Sequence, residues 1–226
     1  MNNGIVYIVF KKHKGVDHIK EVIQSARAVK NIHKKLNITL FTDSKNINEN
    51  CFDNIKIIPI NNTREKQNYL YDSPYDYTLY LDSDTKVVNP IEDIFKILDR
   101  FDIAACFDHA RKDPKKSKVW EDYAKIPSSF SEFAGGVILF KKSPVVESFF
   151  KVWRVNYGLW KKASGKLNDQ PSFRVSLWQC SDLKVYTLPP EYNLRTQEKR
   201  DKFIINPVIL HWHKMYMNVK GTPQKF

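Results

Sequence analysis

Two aspartates one residue apart close the most apolar strand-like run in the chain: Tyr77-Thr78-Leu79-Tyr80-Leu81 leads straight into Asp82-Ser83-Asp84-Thr85. A continuous apolar run of this length suits a strand buried on both faces. Carboxylates at its C-terminal end sit where open α/β sheets bind ligands. Two acids so spaced in a loop both reach one hard divalent cation, and that cation neutralises diphosphate oxygens that bare carboxylates repel. The same triplet also suits a solvated turn. A second group with metal-ligand chemistry, His211, ends the apolar run Val208-Ile209-Leu210 and is followed by Trp212 and His213. A neutral imidazole completes a carboxylate shell, and equally a histidine at a strand end is satisfied by its neighbours. In an extended chain His211 and His213 share one face and Trp212 takes the other.

The elements that must carry these groups follow from pattern and punctuation. Ile5–Phe10 reads as a buried strand. Asp17 caps a helix whose apolar stripe is Val16, Ile19, Val22, Ala26, Val29, Ile32 and Leu36. Ile38–Thr42 and Ile55–Ile60 are the next strands, and Asp43 directly follows the first of them. Strand, helix, strand, strand predicts a parallel nucleotide-binding sheet. Arg64–Tyr71 reads as a short helix stopped by Ser73-Pro74. Asn89-Pro90-Ile91-Glu92 predicts a capped helix start with Asn89 as cap and Glu92 as its capping-box acid. The buried face of that helix is Ile91, Ile94, Phe95 and Leu98. Ile103–Phe107 is a strand, and the basic run 111–118 an exposed loop. Gly135-Gly136 opens a strand to Phe140. Helices start at Ser143-Pro144 and at Asn168-Asp169-Gln170-Pro171, and late strands run over Val185–Leu188 and Val208–Leu210.

Composition sets outer bounds. With 226 residues, 42% hydrophobic and 13% aromatic, the chain can bury a sizeable core and is not disordered as a whole. The net charge is +12, which favours anionic partners such as nucleotides, nucleic acid or an acidic membrane surface. Cys51, Cys106 and Cys180 form no CxxC pair, which argues against a disulfide scaffold or a thiolate metal site and fits a reducing compartment. No signal peptide is expected at Ile5–Phe10, and no run approaches the ~20 apolar residues of a membrane span. A cytoplasmic protein follows, with peripheral membrane contact through the basic run as an open option. No nucleic-acid-binding signature accompanies the charge, so no nucleic acid partner is expected.

Taken in order, IVYIVF, REKQNYLYDSPYDYTLYLDSDT, FAGGVILFKKS, NDQ and VILHW form a set that resembles the GT-A-fold glycosyltransferases, and most closely glycosyltransferase family 8. The resemblance spans most of the chain. It implies an α/β, Rossmann-like fold with a mostly parallel central sheet flanked by helices. The fold would be a single domain, with 1–110 as its nucleotide-sugar-binding half and 111–226 as its acceptor-side half. It implies a Mn²⁺ or Mg²⁺ ion, a nucleotide-sugar donor (a UDP-sugar foremost) and transfer of a hexosyl or pentosyl group, with retention, to a hydroxyl of a glycan or other acceptor. By resemblance, Asp84 and His211 bind the metal, and Asp82 binds the metal or the donor's ribose and sugar, with Ser83 between the two aspartates. Val9 and Phe10 border the base, Asp43 contacts the nucleoside, and Arg64 and Lys66 touch the donor. Gly135 and Gly136 allow backbone approach, and Asp169 and Gln170 stand beside the reacting sugar.

The residues themselves leave plainer alternatives. Val9 and Phe10 fit a core, Asp43 a turn, Arg64 and Lys66 a solvated helix face, Gly135-Gly136 a bulge and Asp169 a helix cap. One departure from the family pattern is visible: a glycine and then a lysine usually follow the late histidine at fixed spacing, whereas here His213-Lys214 follows at once and Gly221 comes later. Lys214 and Lys220 are therefore both candidates for the diphosphate. Were the sugar inverted, Asp169 or Glu132 would be the base. Two other readings compete. LYLDSDTKV also fits the opening motif of a haloacid-dehalogenase-type phosphatase, with Asp82 as nucleophile and Asp84 as acid/base, though that motif normally begins its fold. The positive charge alone would suit a nucleic-acid or anionic-surface binder.

Overall fold

The computed structural model describes residues 1–10, 17–59, 65–108, 112–195 and 206–211. Arg64, Arg111, Trp212, His213, Lys214, Lys220 and Gly221 lie outside these. The elements in chain order are β1 (Asn3–Val9), α1 (His18–Ile32), β2 (Asn37–Thr42), β3 (Asn54–Ile57), β4 (Tyr77–Leu81), β5 (Thr85–Val87), β6 (Ile103–Phe107), α2 (Pro114–Val119), α3 (Glu121–Lys125), β7 (Phe133–Lys141), α4 (Pro144–Ser164), α5 (Gln170–Gln179), β8 (Val185–Leu188) and β9 (Ile209–His211), with short 3-10 segments between.

Seven strands form one sheet in the order β3-β2-β1-β4-β7-β6-β8, and β5 pairs with β9 in a separate antiparallel ribbon. Within the sheet only β7 runs against the rest, antiparallel to both β4 and β6. The sheet is thus mostly parallel, and both halves of the chain build it. From β1 the chain goes to β2 on one side and later to β4 on the other. The C-terminal ends of β1 and β4 therefore flank a topological switch point, the place where such sheets open a crevice.

Period-two alternation sorts the strands into two layers. Ile5, Tyr7, Val9, Leu79 and Leu81 face one core with Val22, Ala26 and Val29 of α1. Val6, Ile8, Phe10, Tyr80 and Phe140 face the other, with Phe149, Phe150 and Trp153 of α4 and Phe173 of α5. Each fully buried side chain of this size is worth roughly 1.5–3 kcal/mol, so α4 is a firm wall behind the sheet. Asp17 caps α1 by accepting from Lys20 N at 3.2 Å, Ser143 caps α4, and Gly165 ends α4 in the left-handed region at φ 66°.

Several expectations need correction. The segment after Asn89 is a 3-10 helix over Glu92–Asp99 with no side-chain cap. His33 at the end of α1 takes over that role, with Nε2 accepting from Ile91 N at 3.1 Å and Nδ1 bonded to Glu92 at 2.7 Å, while Asn89 turns away to donate to Pro207 O. Residues 66–72 form two 3-10 turns rather than one helix. The described part of the basic run contains α2, started by Asp113 and Pro114, although none of α2 is buried. Two of its lysines have structural partners: Lys112 donates to the carbonyls of Ala124 and Ile126, and Lys116 pairs with Glu132. The third strand stops at Ile57, short of Ile60, and Gly135-Gly136 lie inside β7 rather than opening it. Among the described residues no helix is long and apolar enough to cross a membrane.

Candidate active site

The Asp-Ser-Asp turn is anchored at both ends before its carboxylates do anything. Asp82 N donates to Gly136 O at 2.8 Å, continuing the β4–β7 ladder by one rung. Thr85 binds back to Asp82 O through both its amide and its hydroxyl, the latter at 2.8 Å. Behind Thr85 a buried polar chain runs through Ser25 of α1, 3.2 Å away, to the Tyr7 hydroxyl, 2.8 Å further on. Burial pushes the Tyr7 phenol far up, opposed in part by its bond to Ser25, so the chain is made of neutral groups. Alternation within the turn sends Ser83 the other way, to Glu21 at 3.2 Å and His18 at 3.5 Å.

His211 arrives from the other end of the sequence. It pairs with Thr85 across the β5–β9 ribbon, which brings its ring beside Asp84. Nε2 of His211 lies 3.3 Å from Asp84 Oδ1 and 3.8 Å from Asp82 Oδ2. One ligand atom from each of these three residues lies within 4.8 Å of the other two. Asp84 and His211 are 4% and 7% exposed. Burial works to raise the Asp82 carboxyl, yet Lys66 and His211 outweigh it and hold the group below its ordinary value, with help from the Tyr80 hydroxyl. Acceptor atoms packed this closely repel one another unless a cation, a proton or a metal ion, sits among them. Two carboxylates and an imidazole are a suitable set for a borderline or hard divalent ion. Gly136 supplies the remaining condition: a Cβ there would stand 2.1 Å from Cε1 of His211. The residues present therefore fit a Mn²⁺ or Mg²⁺ ion.

Lys66 joins this group to a second one. Its Nζ lies 3.3 Å from Asp82 Oδ1 and 3.1 Å from Asp169 Oδ2, and it donates to Gly135 O. The contacts with Asp82 and Gly135 are hydrogen bonds, whereas that with Asp169 Oδ2 is an ion pair only, and this buried oxygen has no hydrogen-bond partner among the described residues. The Tyr80 ring lies 4.9 Å from it. At 6% exposed, Lys66 is no solvated surface lysine. Asp169 stands at the cap position of α5, but its side chain caps nothing. The carboxylate faces Lys66 and only its backbone carbonyl serves the helix, accepting from Phe173 N at 3.0 Å and Ser172 Oγ at 2.6 Å. Gln170, the first residue of α5, is partly buried.

The structure thus brings Asp82, Asp84, His211, Lys66, Asp169, Gln170, Gly135 and Gly136 to one edge of the sheet. Val9 and Phe10 end β1 beside it with side chains buried in the two cores, and Asp43 follows β2, exposed. Ser83 points to α1. Glu132 is fully buried, with its carboxylate oxygens on Lys116 at 2.5 Å and Tyr123 at 2.7 Å, and so is committed away from this group. Residues the sequence did not single out are Tyr80, Ser25 and Asn193, whose Oδ1 lies 2.6 Å from His211 Nδ1.

A mostly parallel sheet with one reversed strand, and a carboxylate pair closing its central strand at the switch point, define the GT-A glycosyltransferase fold. Solved structures of that class match over nearly the whole chain. A galactosyltransferase, LgtC, in complex with donor and acceptor sugar analogues is 16% identical with a TM-score of 0.60, over 93% of this chain and 86% of its own. The glycosyltransferase GlyE of Streptococcus pneumoniae TIGR4 gives 17% and 0.62, over 92% of this chain and 54% of its own. The bifunctional glycosyltransferase WbbM gives 14% and 0.62, over 92% and 45%. At such identities the likeness is one of fold. No protein-family model matches the sequence, and no curated protein matches it by sequence.

Proposed function

We propose that the protein is a metal-dependent glycosyltransferase that moves a sugar from a nucleoside diphosphate, UDP foremost, to an acceptor hydroxyl on a glycan or similar molecule. The observation that carries this reading is the convergence of Asp82, Asp84 and His211 at the switch point of a GT-A sheet. These three would hold Mn²⁺ or Mg²⁺, which when bound supplies Lewis-acid neutralisation of the diphosphate oxygens. Val9 and Phe10, at the end of β1, and Asp43, after β2, would lie beside the base and ribose, whose contacts would give remote binding energy that positions the sugar. Arg64 and Lys214 are the proposed further contacts to the diphosphate. The acceptor would enter on the side of Gly135 and Asp169.

Lys66 has a positioning part: it holds Asp169 against the Asp82 carboxylate. A carboxylate tied to a lysine at 3.1 Å is better suited to steadying a cationic sugar face than to accepting a proton. With Glu132 committed elsewhere, this supports retention over inversion, with Asp169 and Gln170 beside the anomeric carbon. The phosphatase alternative has less support, because Asp82 follows the fourth strand in the chain, whereas that motif normally begins its fold. The three cysteines are free, in keeping with a reducing, cytoplasmic setting.

The test is a thermal-shift panel of nucleotide sugars with and without Mn²⁺, followed by turnover of the best ligand. A ligand at a hundred times its Kd adds about 2.7 kcal/mol to the folded state. Metal-dependent stabilisation by one nucleotide sugar, and its loss in Asp84→Ala, are expected. Full turnover by Asp84→Ala would remove the metal role.

A further inference from the structure

The imidazole of His211 has two nitrogens, and only one of them faces the carboxylates. Nε2 looks toward Asp84 and Asp82, while Nδ1 meets Oδ1 of Asn193 at 2.6 Å, with both residues buried. An amide oxygen accepts and cannot donate, so the bond requires a proton on Nδ1. In the neutral ring Nε2 then carries the free lone pair, aimed at the point where Asp82 and Asp84 converge. Turning the ring over would place a C–H against the Asn193 oxygen and point another C–H at the carboxylates. Gly136 closes one side of the ring, where even a methyl group would collide.

Asn193 is itself fixed by backbone. It ends the 3-10 turn Pro190–Asn193, and the next residue clips that turn to β9: Leu194 N donates to Ile209 O at 2.8 Å and His211 N to Leu194 O at 2.9 Å. The same strand that delivers the histidine therefore also sets the height of the asparagine. The logic repeats elsewhere in the chain, where the Ile91 amide donates to Nε2 of His33 and so leaves the Nδ1 proton for Glu92.

We infer that Asn193 is the positioning residue of the site, holding His211 in the Nδ1–H tautomer so that Nε2 is presented as a ligand. This rests on the metal reading proposed above. Outer partners of ligating histidines fix tautomer and ring orientation, and losing one typically lowers metal affinity about 10- to 100-fold.

The experiment reads the tautomer directly in the metal-free full chain, by long-range ¹H–¹⁵N correlation of the His211 ring at alkaline pH, and Mn²⁺ affinity separately by electron paramagnetic resonance of free Mn²⁺. Wild type is expected to hold the proton on Nδ1. Asn193→Ala is expected to lose that preference and bind Mn²⁺ about 10- to 100-fold more weakly. Asn193→Asp keeps an acceptor at the same position and is expected to keep the tautomer, which separates positioning from mere packing. A wild-type ring protonated on Nε2, or an Asn193→Ala protein with unchanged tautomer and unchanged Mn²⁺ affinity, overturns the inference. A correct tautomer in a wild-type protein that binds no Mn²⁺ overturns the metal reading and the positioning role with it, while leaving the tautomer assignment standing.

Discussion

One added carbon separates two neighbouring glycines in consequence. A Cβ at Gly136 would stand 2.1 Å from Cε1 and 2.8 Å from Nδ1 of His211, whereas one at Gly135 would meet Lys66 Nζ at 3.2 Å and Asp169 Oδ2 at 3.4 Å. The first contact is closer than any Cβ can stand to a ring; the second asks the end of the Lys66 side chain to give by only a few tenths of an ångström. Gly136→Ala is therefore expected to weaken Mn²⁺ binding by at least about tenfold, and Gly135→Ala to cost much less, as measured by metal titration. Lys66 and Asp169 should behave as one unit. Removing Lys66 leaves the buried Asp169 carboxylate without its cation, a loss of roughly 3–5 kcal/mol, whereas removing Asp169 leaves Lys66 still beside Asp82 and costs less; the double variant Lys66→Met, Asp169→Asn should lose less than the sum of the two in urea unfolding. Additive losses would mean that the ion pair contributes nothing. The clustering of Asp82, Asp84 and His211 was legible because type and place coincided: acids at a strand's end, a histidine at another's. Asn193 was not, because its importance comes from a clip between residues 194 and 209 that no local pattern announces.

Strands were legible almost to the residue where a short, largely apolar run had clear ends, as in β4, β6 and β8. Elements misjudged were those whose ends are set by a distant partner. The amide of Ile91 is satisfied by His33, so the segment beyond it needs no side-chain cap from Asn89. The three-residue strand β5 exists because β9 pairs with it, and nothing in residues 85–87 alone demands it. Close packing between elements gives a sharp test of the frame. A Cβ at Gly4 of β1 would stand 2.4 Å from the Tyr75 ring, which lies before β4 and is held by its hydroxyl on Thr39 of β2 at 2.8 Å. Gly4→Ala must push that ring out of a full core, an overpacking expected to cost about 1–3 kcal/mol, read as a lower Tm. An unchanged Tm would show that Tyr75 is loosely held.

Across the whole molecule, burial leaves a mark on the response to alkali. Tyr7, Tyr123 and Cys106 are all pushed far above their ordinary values, chiefly by burial. Each keeps its proton in the folded protein when the unfolded chain would release it, so the native state binds more protons and stability falls as pH rises. That contribution is intact below the unfolded values, about 8.5 for a thiol and 10 for a phenol, and is lost progressively above them. Tyr7→Phe should flatten the decline in urea midpoint above about pH 10; the same slope in wild type and variant would contradict it. The sheet that carries Tyr7 and Cys106 also aims the site, since both halves of the chain meet at the end of β4. The most direct measurement is anomalous diffraction at the manganese edge from crystals soaked with Mn²⁺ and a nucleoside diphosphate. A peak among Asp82, Asp84 and His211, with the diphosphate against it, is the predicted result; a strong peak elsewhere and none at that trio would contradict the account.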